Sequence, residues 1–139
     1  MAFIVKADLL TYIDEAVIDQ LTDDNDSYVT EVIKDAETRI KERISARFDT
    51  TVELAKTGGN RNRSLLKCCI NLAIYYLFER LYTDVIPEGR TQGMTAAEKW
   101  LDDAISGNIQ SGLTEVDAAA TQGWSIRWGS ETKKGSQNY

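Results

Sequence analysis

Residues 64–82 read SLLKCCINLAIYYLFERLY, and the character of this stretch decides the fold. Leu65, Leu66, Cys68, Cys69, Ile70, Leu72, Ala73, Ile74, Tyr75, Tyr76, Leu77, Phe78 and Leu81 occupy almost every angle of a helical wheel. A helix that is apolar all round belongs inside a protein core or a membrane. The run without a charge, residues 68–78, contains an asparagine and falls well short of the ~20 residues a spanning helix needs. The stretch is therefore expected to be the buried central helix of a soluble domain, with the other helices laid around it. Asn71, the one polar intruder, is expected to hydrogen-bond a neighbouring helix or a partner chain.

Working outward, a chain of 139 residues fits one domain and can bury a core without disulfide staples. Its 42% hydrophobic and 27% charged residues are ordinary for a globular protein. The net charge of −6 speaks against non-specific binding to nucleic acid or anionic membrane, which needs a basic surface. Cys68 and Cys69 are adjacent and point about 100° apart on a helix, so they read as small buried hydrophobes rather than a bridge. The first residues, MAFIVKADLL, have no cleavage-like site, and no signal peptide or lipid anchor is expected.

Residues 6–21 predict two short helical pieces, with Asp8 and Asp14 as capping residues. Between Asp8 and Asp26 stand seven carboxylates and no cation. Thr22-Asp23-Asp24-Asn25-Asp26-Ser27 lacks the glycine and the later bidentate glutamate of a calcium loop, so no metal is expected there. Residues 26–48 predict a long helix, because Val29, Ile33, Ala36, Ile40 and Ile44 fall on one stripe while Glu31, Lys34, Glu37, Lys41 and Glu42 lie elsewhere. Thr57-Gly58-Gly59-Asn60 marks a loop or hairpin, followed by Arg61 and Arg63. With Lys56 and Lys67 these form a basic stretch without an intervening acid. It lacks the remaining elements of a phosphate-binding loop. The open readings are a solvated loop, or a contact to an acidic surface such as the N-terminal segment of an adjacent copy.

Past the central helix, Pro87 and two glycines predict a turn, and Thr95-Ala96-Ala97-Glu98 has the form of a capping box. Ala97, Trp100, Leu101, Ala104 and Ile105 supply the stripe of that helix, and Gly107 ends it. A helical body over residues 1–107 and an extended arm over residues 108–139 are expected. Within the arm, Trp124-Ser125-Ile126-Arg127-Trp128 alternates strictly and reads as a short β-strand. A lone strand is not stable in water; it must join a sheet or lie in a groove. The 33 residues of the arm span up to ~110 Å extended, against a radius of gyration of ~13 Å for a body of this size. The arm is thus expected to dock on another chain through Trp124, Ile126 and Trp128, with Arg127, Lys133 and Lys134 at the polar rim.

No histidine is present, there is no His/Cys set for zinc, and no carboxylate pair lies inside an apolar run. Enzymatic activity, cofactors and a metal are not expected.

The order of elements is similar to a known group. Acidic short helices at Asp8-Leu9-Leu10 and Leu21-Thr22-Asp23 precede a long helix with Val32-Ile33, Ala36 and Ile40 that ends in Arg47-Phe48. A central helix with Leu72-Ala73-Ile74-Tyr75-Tyr76-Leu77 and Arg80 follows, then a helix with Trp100-Leu101 and Ala104-Ile105. This resembles the small, Mu-like head–tail connector or adaptor proteins of tailed bacteriophages over residues 5–107. Prolines expected after Arg47-Phe48 are missing, and the segment beyond Gly107 does not align. The resemblance implies a mainly α fold and a ring, usually dodecameric, beneath the portal vertex of the virion. Its partners would be the portal protein, stopper or tail proteins and identical subunits; genomic DNA would pass without specific binding, and no membrane is involved. Arg61, Arg63 and Lys67 are then candidates for inter-subunit contact. A nucleic-acid-binding module gripping phosphate with the same three residues is the alternative from another class, and a stopper or tail-completion protein is the alternative among neck components.

Overall fold

A computed structural model describes residues 3–81 and 86–116. In chain order it contains α1 (Lys6–Leu9), α2 (Glu15–Thr22), α3 (Asp26–Ile44), α4 (Thr50–Ala55), a single 3-10 turn (Gly58–Asn60), α5 (Arg63–Leu81) and α6 (Glu88–Ser106). The expected mainly helical bundle is what forms. The strand expected at residues 124–128 lies outside the described residues.

The apolar wheel of α5 has the predicted consequence. Leu65, Cys69, Leu72, Ala73, Ile74 and Leu77 have no exposed surface at all, and α1, α2, α3 and α6 all pack against this helix. Each fully buried Leu or Ile contributes about 1.5–3 kcal/mol relative to exposure, which makes α5 the main source of stability. The stripe of α3, Val29, Ile33, Ala36, Ile40 and Ile44, is buried against it as expected, with Val32 added.

Phe3 and Ile4 precede α1 and are also in the core. Asp8 sits at the third position of α1, not before it. Its carboxylate reaches back to accept from the Val5 N–H at 2.9 Å. Asp14 does stand at the start of α2. After α2 the chain makes two successive left-handed residues, Asp23 (φ 56°) and Asp24 (φ 60°), a conformation Asp tolerates through its short polar side chain. Asn25 then caps α3 by accepting from the Ser27 N–H at 3.0 Å.

Two elements differ from expectation. Ahead of the loop read at residues 57–60 stands α4, an element the sequence reading did not assign, capped by Asp49, whose carboxylate accepts from the Val52 N–H at 3.2 Å. Also, α6 starts at Glu88 directly after Pro87, seven residues before the predicted capping box, so Thr95 lies inside the helix. Pro fixes φ near −65° and lacks an N–H, and it starts a helix well. The body of α6 therefore includes Gly93, which lies against Asn71. A methyl group on Gly93 would stand 3.5 Å from Asn71 Oδ1, ordinary contact distance. Asn71 is half-buried at the α5–α6 seam and makes no side-chain hydrogen bond among the described residues, so of the two partners expected for it the neighbouring helix is not one.

Gly107 ends α6 as predicted, with φ 85°. The Asn108 N–H returns to the Asp103 carbonyl at 2.9 Å, one of the reverse hydrogen bonds that close a helix C-terminus.

Candidate partner-binding surface

The segment after α6 returns to the body before it leaves it. Leu113 is buried, and Asn62 Nδ2 donates to the Ser111 carbonyl at 2.8 Å while Asn62 Oδ1 accepts from the Leu65 N–H at 3.0 Å at the start of α5. Residues 47–49 and 114–116 pair antiparallel: the Asp49 N–H donates to the Thr114 carbonyl at 2.8 Å, and the Val116 N–H donates to the Arg47 carbonyl at 2.9 Å. Residues 108–116, assigned to the arm by sequence, thus lie along the body as far as Val116.

Two charged residues hold this return. Arg47 extends over the end of α6, donating to the carbonyls of Ala104 and Ile105 at 3.3 Å each, and to Glu115 Oε2 at 3.4 Å. A cation at a helix C-terminus opposes the negative end of the helix dipole. Glu53 on α4 is 1% exposed, and its Oε2 accepts from the Thr114 N–H at 2.9 Å and from Lys56 Nζ at 3.1 Å. Burial by itself would raise the carboxyl pKa. The Thr114 hydrogen bonds and Lys56 outweigh it and leave the group below its ordinary value. Its other oxygen, Oε1, has no hydrogen-bond partner among the described residues. No sequence signal marked Glu53; only the pairing across 61 residues reveals it.

The predicted basic stretch does not act as one group. Arg61 is committed within its own chain: Nη1 donates to Asp8 Oδ2 at 2.9 Å and to the Phe3 carbonyl at 3.0 Å, and Nε donates to the Gly58 carbonyl at 2.9 Å. The acidic N-terminal segment is the partner foreseen for it, but in the same copy. Lys56 is taken by Glu53. Arg63 and Lys67, four residues apart on α5, are exposed and have no ion-pair partner among the described residues. Lys6 answers three of the other acids, 3.0 Å from Asp26 and within 3.8 Å of Glu15 and Asp19. Trp124, Ile126, Arg127, Trp128, Lys133 and Lys134 lie outside the described residues.

Across the body, Arg39 clasps Glu98 with Nε at 3.1 Å and Nη2 at 3.0 Å, while Arg43 contacts both Glu98 and Asp102. Glu98, expected at a capping box, instead joins α6 to α3. Next to this network a groove of about 530 Å³ runs between α3 and α5, walled by Tyr28, Glu31, Asp35, Tyr76 and Glu79 over Val32. Arg80 closes one end by stacking 3.3 Å above the Tyr28 ring.

Neither cysteine is poised for chemistry. Burial pushes the Cys68 thiol up to about 12, with Glu98 adding to the effect, and drives Cys69 well above its usual value. The Cys68 thiol lies 3.2 Å from the Ala97 carbonyl in the core. Among the described residues no cluster of three metal-ligating side chains occurs. No helix among them is long and apolar enough to cross a membrane.

The described residues thus form a compact helical body that anchors the start of a C-terminal segment and carries an open acidic groove. The profile of the family described as Bacteriophage Mu, Gp36 matches residues 3–127, and the chain belongs to that family. It is a phage protein of structural or assembly type, at work in the virion or the infected cell. No curated protein and no solved structure matches the chain.

Proposed function

We propose that this chain is a head–tail connector, or adaptor, that forms a ring beneath the portal and extends the DNA channel toward the tail, without enzymatic activity. The observation that carries the reading is the way the body fastens residues 111–116 and presents Val116 as the root of a further 23 residues containing Trp124, Ile126 and Trp128. Those residues span up to ~75–83 Å extended, enough to leave one subunit and reach another. Buried tryptophans are the side chains that most often dominate interface energy. The net charge of −6 suits a channel wall, since tight DNA binding requires cations that neutralise phosphates. The partners on this reading are the portal, identical subunits in a dodecameric ring such as the resemblance implies, and stopper or tail proteins.

The nucleic-acid alternative loses its central residue because Arg61 is bound to Asp8 and Phe3. The other neck roles belong to bodies that tend to be β-rich, unlike the helical one described here. Deleting residues 124–139 tests the proposal, because the contacts that fasten the segment to the body among the described residues, up to Val116, are all retained. The truncated chain should fold with an unchanged helical spectrum and fail to co-sediment with portal-bearing heads. Undiminished co-sedimentation by the truncated chain refutes the role given to the arm.

A further inference from the structure

The groove of about 530 Å³ between α3 and α5 carries carboxylates that are not satisfied among the described residues. Glu31 is 3.7 Å from Lys34, but Asp35 and Glu79 have no ion-pair partner among the described residues. Tyr28 and Tyr76 add aromatic surface, and buried Val32 forms the floor. Burial raises the Tyr76 phenol, with Glu98 next in effect, so this hydroxyl stays neutral and available as a donor. Arg80 forms no ion pair with these acids among the described residues, being stacked on Tyr28 and donating to the Leu21 carbonyl at 3.5 Å, so its single charge leaves the lining of Glu31, Asp35 and Glu79 net negative. Such a lining fits a peptide that alternates apolar side chains with cations.

The chain contains one such peptide. Residues 117–139 hold Arg127, Lys133 and Lys134 against Asp117 and Glu131, a basic excess in a protein of net charge −6, and they include Trp124, Ile126 and Trp128. We propose that the groove of Tyr28, Asp35, Tyr76 and Glu79 receives residues 124–134 of a second copy. The inference rests on the reading of the C-terminal segment as a docking arm and names the surface that takes it. Attraction between the carboxylates and Arg127, Lys133 and Lys134 sets the orientation, while the tryptophans cover Val32 and the tyrosine rings.

Reach argues for a second copy. Val116 is held at Arg47, past the end of α3, whereas the groove centres on Val32, fifteen residues earlier. At about 1.5 Å per residue the axial distance is roughly 22 Å. The eight residues from Val116 to Trp124 span about 26–29 Å at full stretch, so a segment bound to its own body would run taut along the surface. Head-to-tail contacts of this kind close into rings when the rotation between subunits permits.

The test uses the full chain. Sedimentation velocity over a concentration series measures self-association of wild type, of the Asp35→Lys/Glu79→Lys pair, of the Lys133→Glu/Lys134→Glu pair, and of all four together. Each pair should weaken association about tenfold or more through like-charge contact, and the four together should recover most of the loss. Circular dichroism checks that these substitutions leave the fold intact. In parallel, a Glu79→Cys chain is mixed with a differently tagged Ser125→Cys chain and treated with a short bismaleimide; buried Cys68 and Cys69 do not compete. A link between the two tags supports the proposal. A link only within a chain carrying both substitutions overturns the second-copy occupant. Association that ignores both charge pairs, with no link in either format, overturns the groove while leaving the ring reading intact. A wild-type chain that stays monomeric even when mixed with portal-bearing heads overturns both.

Discussion

Replacing Glu53 with alanine should loosen the root of the C-terminal segment. Glu53 Oε2 gives the Thr114 N–H its partner at 2.9 Å, and a hydrogen bond to a charged group contributes about 1.5–3 kcal/mol. The Lys56 contact adds little, at most about 1 kcal/mol, because that lysine reaches solvent. Against this stands relief, since the lost carboxylate is 1% exposed and has one oxygen without a hydrogen-bond partner among the described residues. The net cost is about 1–3 kcal/mol, which for a domain of this size lowers Tm by roughly 3–10 °C. Native-state hydrogen exchange should show the same loss locally: the Asp49, Thr114 and Val116 amides should lose roughly 5- to 150-fold protection, while those of α5 lose only what global stability dictates. Acid should erase the difference between wild type and variant. The folded carboxyl lies below its ordinary value, so its contribution is complete above the unfolded glutamate pKa, about 4.3, and disappears as the pH falls through the lowered one. A Tm within 1 °C or so of wild type at neutral pH, with unchanged exchange at those three amides, would refute the anchoring role.

Other consequences can be checked on the same material. Leu72→Ala empties the centre of the fully buried α5 face and should cost about 2–5 kcal/mol by urea denaturation. Glu98→Ala leaves Arg39 and Arg43 without their shared carboxylate at the α3–α6 seam; the expected cost is about 1–2 kcal/mol, reduced by high salt in wild type because Arg39 is partly exposed. Cys68 and Cys69 should resist a thiol reagent such as dithionitrobenzoate at neutral pH in the native protein and react at once in denaturant.

The sequence conveys the bundle because its two main helices carry unambiguous apolar patterns. An all-apolar wheel places α5 at the centre, and five residues of one stripe place α3 against it. The start of α6 is hidden for a local reason: Gly89 and Gly93 weaken the helical signal while Thr95 and Glu98 imitate a cap. In α4, two threonines and a valine in six residues lower helix propensity, and the short element is held by the Asp49 cap and by burial of Leu54. Partner choice is harder still. Asp8 and Arg61, or Glu53 and Thr114, meet only after the chain has folded, so local charge runs suggested contacts between copies where Arg61 is satisfied at home. The tryptophan-bearing residues are conspicuous in composition, and their expected strand lies outside the described residues.

Negative-stain imaging of portal-bearing heads, with and without the purified full-length chain, addresses the connector role most directly. The account predicts a ring of added density on the outer face of the portal vertex that is lost when residues 124–139 are removed. Heads that look the same with and without saturating protein would contradict it.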